Sequence, residues 1–184
     1  MRKLFALILL VLFTCGCSTN ISNISEEFSL RNALIHGNGC SFIAKITTDD
    51  SKLDFTLDCR FDAEGNMDFS VMDHPNLNGI VGRIDASGGK LIQDDLVLSF
   101  PLLAQGRVSP VSAPWMIYQT LRNGYVRLVS KEESGVRYTI SDTLYEEEFQ
   151  LDVWVSQANA PIYAEIIWEG MRILSIRFED YKIL

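Results

Sequence analysis

The chain has 184 residues, 47% of them hydrophobic, and 16 basic against 24 acidic side chains give a net charge of −8. That length and apolar content suffice for one domain with a real hydrophobic core. An acidic chain without a basic cluster is a poor partner for nucleic acid and for electrostatic binding to anionic lipid.

The first residues carry an address. Arg2 and Lys3 precede an apolar run of ten residues, Leu4 to Phe13, and Thr14-Cys15-Gly16 leads into Cys17. This is the pattern of a secretory signal, and the run is too short to span a bilayer as a helix. The cysteine at the cleavage point resembles a bacterial lipoprotein signal, in which the new N-terminal Cys is lipidated. Gly16 at −1 favours Cys17. Cys15 is the alternative, with Leu12 at −3 but Thr14 at −1; an ordinary secretory signal with incidental cysteines is the blander reading. The expected organisation is therefore a signal peptide over 1–16, a lipid-anchored polar tether over 17–25, and one folded domain over 26–184. Removing Arg2 and Lys3 leaves 14 basic against 24 acidic residues, a mature net charge of −10. The expected location is extracytoplasmic, tethered to the bacterial cell membrane.

Asn23 with Glu26 three residues on predicts a cap for a short helix over 26–35, which Gly37-Asn38-Gly39 would stop. Strand signals follow. Leu53, Phe55, Leu57, Cys59 and Phe61 alternate with polar residues at a period of two. Taking Asp49-Asp50 as the tip of a hairpin places Ile46 opposite Leu53, Ala44 opposite Phe55, Phe42 opposite Leu57 and Cys40 opposite Cys59. Directly opposite residues of an antiparallel pair are close enough for a disulfide, and an even pair of cysteines outside the cytoplasm suggests one. A wider turn would shift the two cysteines to diagonal positions on the same face.

Glu64-Gly65-Asn66 predicts a turn, Met67, Phe69 and Val71 resume the alternation, and Asp73 to Asn76 break it. Ile80, Ile84, Leu91 and Leu96 to Phe100 give shorter strands around the turn Ala86-Ser87-Gly88-Gly89. The segment 101–114 holds three prolines and is the least regular. Pro114 suits a first helical turn, so a helix is predicted over 115–122, closed by Asn123-Gly124. Strands near 125–130, 135–140, 147–156, 161–168 and 171–179 complete the chain, the last two joined by Glu169-Gly170. The expected fold class is α+β, mainly antiparallel β: a curved sheet of about ten strands with helices packed in its concave face.

Little in the sequence suggests catalysis, and no catalytic residue, cofactor or metal is expected. His36 and His74 lack partners at metal-ligand spacing, no GxSxG occurs, and Ser87-Gly88-Gly89-Lys90 lacks the other residues of a phosphate loop. Glu146-Glu147-Glu148 reads as a solvated strand entrance rather than a calcium site. What remains is apolar. Phe55, Leu57, Phe69, Phe100, Leu102, Leu103, Trp115 and Tyr118 would line a cavity if the sheet curved away from its helices, and would simply form the core if it did not.

The C-terminal run carries a resemblance. Leu151 to Val155, then Ala160-Pro161-Ile162-Tyr163-Ala164-Glu165-Ile166, then Glu169-Gly170, then Ile173 to Tyr181, is similar to the end of LolA/LolB-like lipoprotein carriers. The resemblance implies an unclosed antiparallel barrel with a helical lid and an apolar cavity for acyl chains. The expected function is thus an anchored lipoprotein that binds or carries a lipid or acyl chain, itself held to the membrane by its N-terminal lipid, with an envelope protein as a further partner. The alternative is a non-catalytic interaction or sensor module with a filled core.

Overall fold

The computed structural model describes residues 29–49, 54–73, 77, 79–104, 107–133, 135–144 and 146–184. The expected signal peptide, Cys15, Cys17 and the tether lie outside the described residues, as do Leu53 and His74. Among the described residues, no helix is long and apolar enough to cross a membrane.

A short helix α1 (Ser29–His36) leads into six antiparallel strands, β1 (Cys40–Thr48), β2 (Asp54–Phe61), β3 (Met67–Val71), β4 (Val81–Asp85), β5 (Gly88–Gln93) and β6 (Leu96–Phe100). A two-residue hairpin, β7 (Leu103–Ala104) with β8 (Arg107–Val108), and a 3-10 turn at Pro110–Ser112 precede helix α2 (Ala113–Asn123). Five more strands follow: β9 (Tyr125–Glu132), β10 (Gly135–Leu144), β11 (Glu147–Ser156), β12 (Pro161–Trp168) and β13 (Met171–Ile183).

All but the small hairpin belong to one open sheet of eleven strands in the order β6-β5-β4-β3-β2-β1-β13-β12-β11-β10-β9. It consists of two meanders joined where the first strand pairs with the last, from Cys40↔Ile183 to Thr48↔Leu174. A twisted sheet of this width curls, and register shifts in β1/β13, β10/β9, β11/β12 and β12/β13 add local bends. The expected curved half-barrel is the fold observed. Its topology also explains where the helix goes. β6 and β9 are the two outer edges, so the connection 101–124 must travel from one edge to the other, and α2 crosses the concave face on the way.

Alternation decides the faces. In β1, Cys40, Phe42, Ala44, Ile46 and Thr48 are buried, while Lys45 and Thr47 face solvent. Strands β2, β3, β12 and β13 repeat the pattern, filling the concavity with Leu57, Phe61, Met67, Ile166, Leu174 and Ile176, all essentially inaccessible. The opposite face is laced with ion pairs: Lys45–Glu179, Arg83 with Asp62 and Asp68, and Arg172 with Asp49 and Glu165. Glu169 (φ 50°) and Gly170 (φ 77°) form the tight turn between β12 and β13, the left-handed pair that a two-residue hairpin requires.

One sequence expectation is corrected. The β1–β2 ladder pairs Phe42 with Cys59, Ala44 with Leu57 and Ile46 with Phe55, so the register is two residues away from the expected one and Cys40 is not opposite Cys59. The reason lies in β13. Thr48 pairs with Leu174, the Asp49 N–H donates to the Ile173 carbonyl (3.2 Å), and the Asp49 carboxylate accepts from Arg172 Nε (2.8 Å). These contacts hold Asp49 against β13, so the turn is wider than Asp49-Asp50. Cys40 and Cys59 become diagonal neighbours, about 7–8 Å apart at Cα, beyond the usual span of a disulfide. Both are buried free thiols.

Helix α1 is fastened to the end of α2. Arg31 Nε donates to the Leu121 carbonyl (2.6 Å) and Nη2 to the Gly124 carbonyl (2.8 Å). The guanidinium satisfies carbonyls that a helix leaves open at its C-terminus and complements the negative end of its dipole. Burial lowers the Arg31 pKa, against the favourable fields of Asp142 and Tyr138.

Candidate ligand-binding mouth

Helix α2 is prepared by the segment before it. Ser112, fully buried, donates from Oγ to the Leu102 carbonyl (2.7 Å), and the Ser109 N–H donates to the same carbonyl (3.0 Å). Pro114 occupies the first turn, where its missing N–H costs nothing. Eight of the eleven helical residues are buried, including Trp115, Met116, Ile117, Tyr118 and Leu121.

The helix is seated on an aromatic column. Tyr118 stacks on Phe61 with centroids 4.1 Å apart, and Phe61 stacks on Phe42 at 5.6 Å. Phe42 meets Phe178 edge-on at 5.0 Å and Tyr181 at 6.1 Å. Asp180 at φ 52°, inside the β1/β13 irregularity, helps turn Tyr181 inward. Arg122 lies over the Tyr118 ring at 5.4 Å. Burial raises the pKa of Tyr118, with Arg122 opposing, and burial also raises that of Tyr181. Burial pushes the Cys40 thiol, beside Tyr181, up to about 12, and raises that of Cys59 well above its ordinary value.

The eight apolar candidates from the sequence therefore have different fates. Leu57, Phe69, Leu102, Trp115 and Tyr118 are buried in the core, and Phe55, Phe100 and Leu103 pack against it from partly exposed positions. Phe100 lies across Gly89, where an added Cβ would fall 2.1 Å from the ring; the missing side chain is what lets the ring sit there. Only Trp115 of the eight reaches the opening beside α2. Beneath α2, Phe61 is inaccessible and Tyr118, stacked on it, is buried, so the two rings fill the space between helix and sheet at that point.

That opening is a concavity along the side of the helix. A cleft of about 330 Å³ runs between α2 and the β10–β11 hairpin, lined by Trp115, Met116, Leu144 and Phe149, with Asn66 and Gln119 among its polar groups. It adjoins a wider cleft of about 900 Å³, with which it shares Asn123, Asp142, Thr143 and Phe149. The walls are well anchored. Trp115 Nε1 and Gln119 Nε2 both donate to the Gly65 carbonyl (3.0 and 2.9 Å). Thr120 Oγ1 donates to Asp142 (2.9 Å), and Phe149 stacks on Trp168 at 6.0 Å. Such a mixture of apolar wall and a few fixed polar groups suits an amphiphile, at the small end of ligand-site volumes.

Met116 is legible in the sequence as an apolar residue of the helix beside Trp115 and Tyr118, but Leu144 and Phe149 were not singled out. Leu144 and Phe149 flank the Glu146-Glu147-Glu148 run, whose charge masks an apolar residue on each side. Among the described residues, no group of three or more His, Cys, Asp or Glu side chains is placed to hold a metal ion.

No family model and no curated protein sequence matches the chain. Among solved structures it is similar to an uncharacterized conserved protein from Thermus thermophilus, at 9% identity over 87% of each chain with a TM-score of 0.51. It is also similar to a LolA superfamily protein from Nitrosomonas europaea (10% identity, 86% of this chain and 93% of that one, TM-score 0.45). A third likeness is to lipoprotein LppX from Mycobacterium tuberculosis (13% identity, 89% and 96%, TM-score 0.43). At 9% identity the first likeness is one of fold alone, and no residue role passes from any of these proteins to this chain. The open antiparallel half-barrel is the fold that the LolA/LolB-like resemblance of the sequence implies, and this chain has it.

Proposed function

We propose that the chain is a lipoprotein of the cell envelope, anchored through Cys17, that binds a lipid or acyl chain at the mouth beside α2. The observation that carries this reading is the cleft between α2 and the β10–β11 hairpin, with Trp115, Met116, Leu144 and Phe149 on its walls. Binding there is by apolar burial, worth about 25 cal/mol for each Å² removed from water. The N-terminal lipid keeps an acidic domain beside a membrane that its own charge would not seek. No cofactor is invoked and no catalytic step is assigned.

The test is titration of the protein with a fluorescent fatty acid. Saturable binding is expected, and Leu144→Lys, at a half-buried position on the wall, should weaken it at least tenfold while leaving the circular dichroism unchanged. A protein that takes up no probe under lipid excess overturns the reading. For the anchor, Cys17→Ala should move the protein from the membrane to the soluble fraction after cell breakage, whereas Cys15→Ala should leave it with the membrane; the reverse result would assign lipidation to Cys15.

A second reading is favoured by the stacked Phe61 and Tyr118 rings beneath α2: an interaction module of the envelope with a filled core. It expects no probe binding, and recovery of one specific protein from solubilised membranes.

A further inference from the structure

The two edges of the sheet are finished in opposite ways. β9 carries Arg127, Lys131 and Glu132, and its pairing with β10 is broken by a register shift at Thr139/Ile140. Charges and bulges are what keep a free edge from recruiting another strand. β6 (Leu96–Phe100) has neither. It holds no charge and no proline, and it pairs with β5 without interruption from Gly89↔Phe100 to Gln93↔Leu96. No described strand pairs with its outer side.

This bare edge is apolar on both faces. Leu96, Val97 and Leu98 are 76%, 63% and 63% exposed. Behind Val97 the register places Ile92 and then Val81, both exposed. On the other face Leu98 stands beside Leu91. Six large apolar residues thus form one wing, on the opposite side of the sheet from α1 and β9.

We propose that β6 pairs antiparallel with β6 of a second copy, about a two-fold axis at Leu98, so that two half-barrels share one sheet. The strand is complementary to itself in this register. Leu98 faces Leu98, Val97 faces Ser99, and Leu96 faces Phe100, so each face of the joined sheet continues the face beside it. Such a contact uses the same patch on both copies and closes on itself. Charge favours this occupant. The carboxylates at the β5–β6 turn, Asp94 and Asp95, fall beside Leu102 and Pro101 of the other copy rather than beside their own counterparts. The two Asp94 residues then stand eight positions apart along the strands, about 26 Å, roughly three screening lengths at physiological salt. A membrane is the poorer fit, because the same two carboxylates would lead the wing into anionic headgroups.

Cross-linking of the full chain in cells tests the register directly. Leu98→Cys places two thiols opposite each other across the axis, so mild oxidation should give a disulfide dimer on a non-reducing gel. Leu128→Cys, also well exposed (53%) but on the β9 edge, should stay monomeric. Val97→Cys co-expressed with Ser99→Cys should cross-link more than either alone. In sedimentation of the detergent-solubilised full chain, the native protein should be dimeric at tens of micromolar, and Leu98→Lys should be monomeric with unchanged circular dichroism. A native protein that stays monomeric at that concentration, equal cross-linking at positions 98 and 128, or a Leu98→Cys adduct to a different protein would each overturn the proposal. None of these readouts depends on lipid uptake, and β6 contributes no residue to the mouth.

Discussion

Replacing Phe61 with alanine is expected to cost the fold about 3–5 kcal/mol, the range for removing a fully buried aromatic ring. Phe61 is inaccessible at the end of β2, and its ring lies between Phe42 on the sheet and Tyr118 on α2. It is the contact through which the helix is seated, so the truncation opens a void between two elements that cannot both collapse into it. Against a typical stability of about 5–15 kcal/mol for a domain, this is at least about a fifth of the total. Urea unfolding should show the midpoint falling with the slope unchanged. Phe55→Ala, at a partly exposed position outside the column, should cost clearly less. A loss below about 1 kcal/mol at Phe61 would mean that α2 is not packed on the sheet, and the filled-core description of the concave face would fail with it.

Alkaline pH should destabilise the protein through its two thiols. Burial pushes Cys40 from an ordinary value of 9.0 up to about 12 and raises Cys59 as well. Between those values the unfolded chain releases protons that the folded chain keeps. Stability is therefore fully present below about pH 9 and falls as pH rises toward the folded value, by about 1.4 kcal/mol per pH unit for each thiol. Tyr118 and Tyr181, also raised, join only above pH 10. Urea midpoints at pH 8, 9, 10 and 11 should fall for the native protein from pH 9. The Cys40→Ala/Cys59→Ala variant should hold level to about pH 10. A native protein as level as the variant over pH 9–10 would contradict the two buried thiols and support a bridge between them, since a disulfide has nothing to titrate.

Those two cysteines also mark the limit of what alternation encodes. A one-residue slip between β1 and β2 would turn every apolar side chain to solvent, so the pattern forbids it. A slip of two residues leaves Phe42, Ala44, Leu57 and Cys59 on the same face, so the pattern permits it. The choice was made by β13, more than a hundred residues away, through its pairing with Thr48 and its hold on Asp49. The cavity candidates followed the same logic. Each was legible as apolar and inward-facing, yet whether inward meant a hollow or a filled core depended on how α2 crossed the concavity. The mouth residues Met116, Leu144 and Phe149 come together from a helix and a distant hairpin, and local sequence carries no sign of that meeting.

By itself the sequence determined the strands, their inner and outer faces, the tight turn at Glu169-Gly170 and the helix between Pro114 and Gly124. These rest on local chemistry: a period of two, a ring that suits a first helical turn, a residue that accepts positive φ. The tertiary structure alone decided the pairing of β1 with β13, the β1–β2 register, the seating of α2 on Phe61 and the bareness of β6. Each of these depends on which distant surface is available to be buried, and that is set only when the whole sheet has curled.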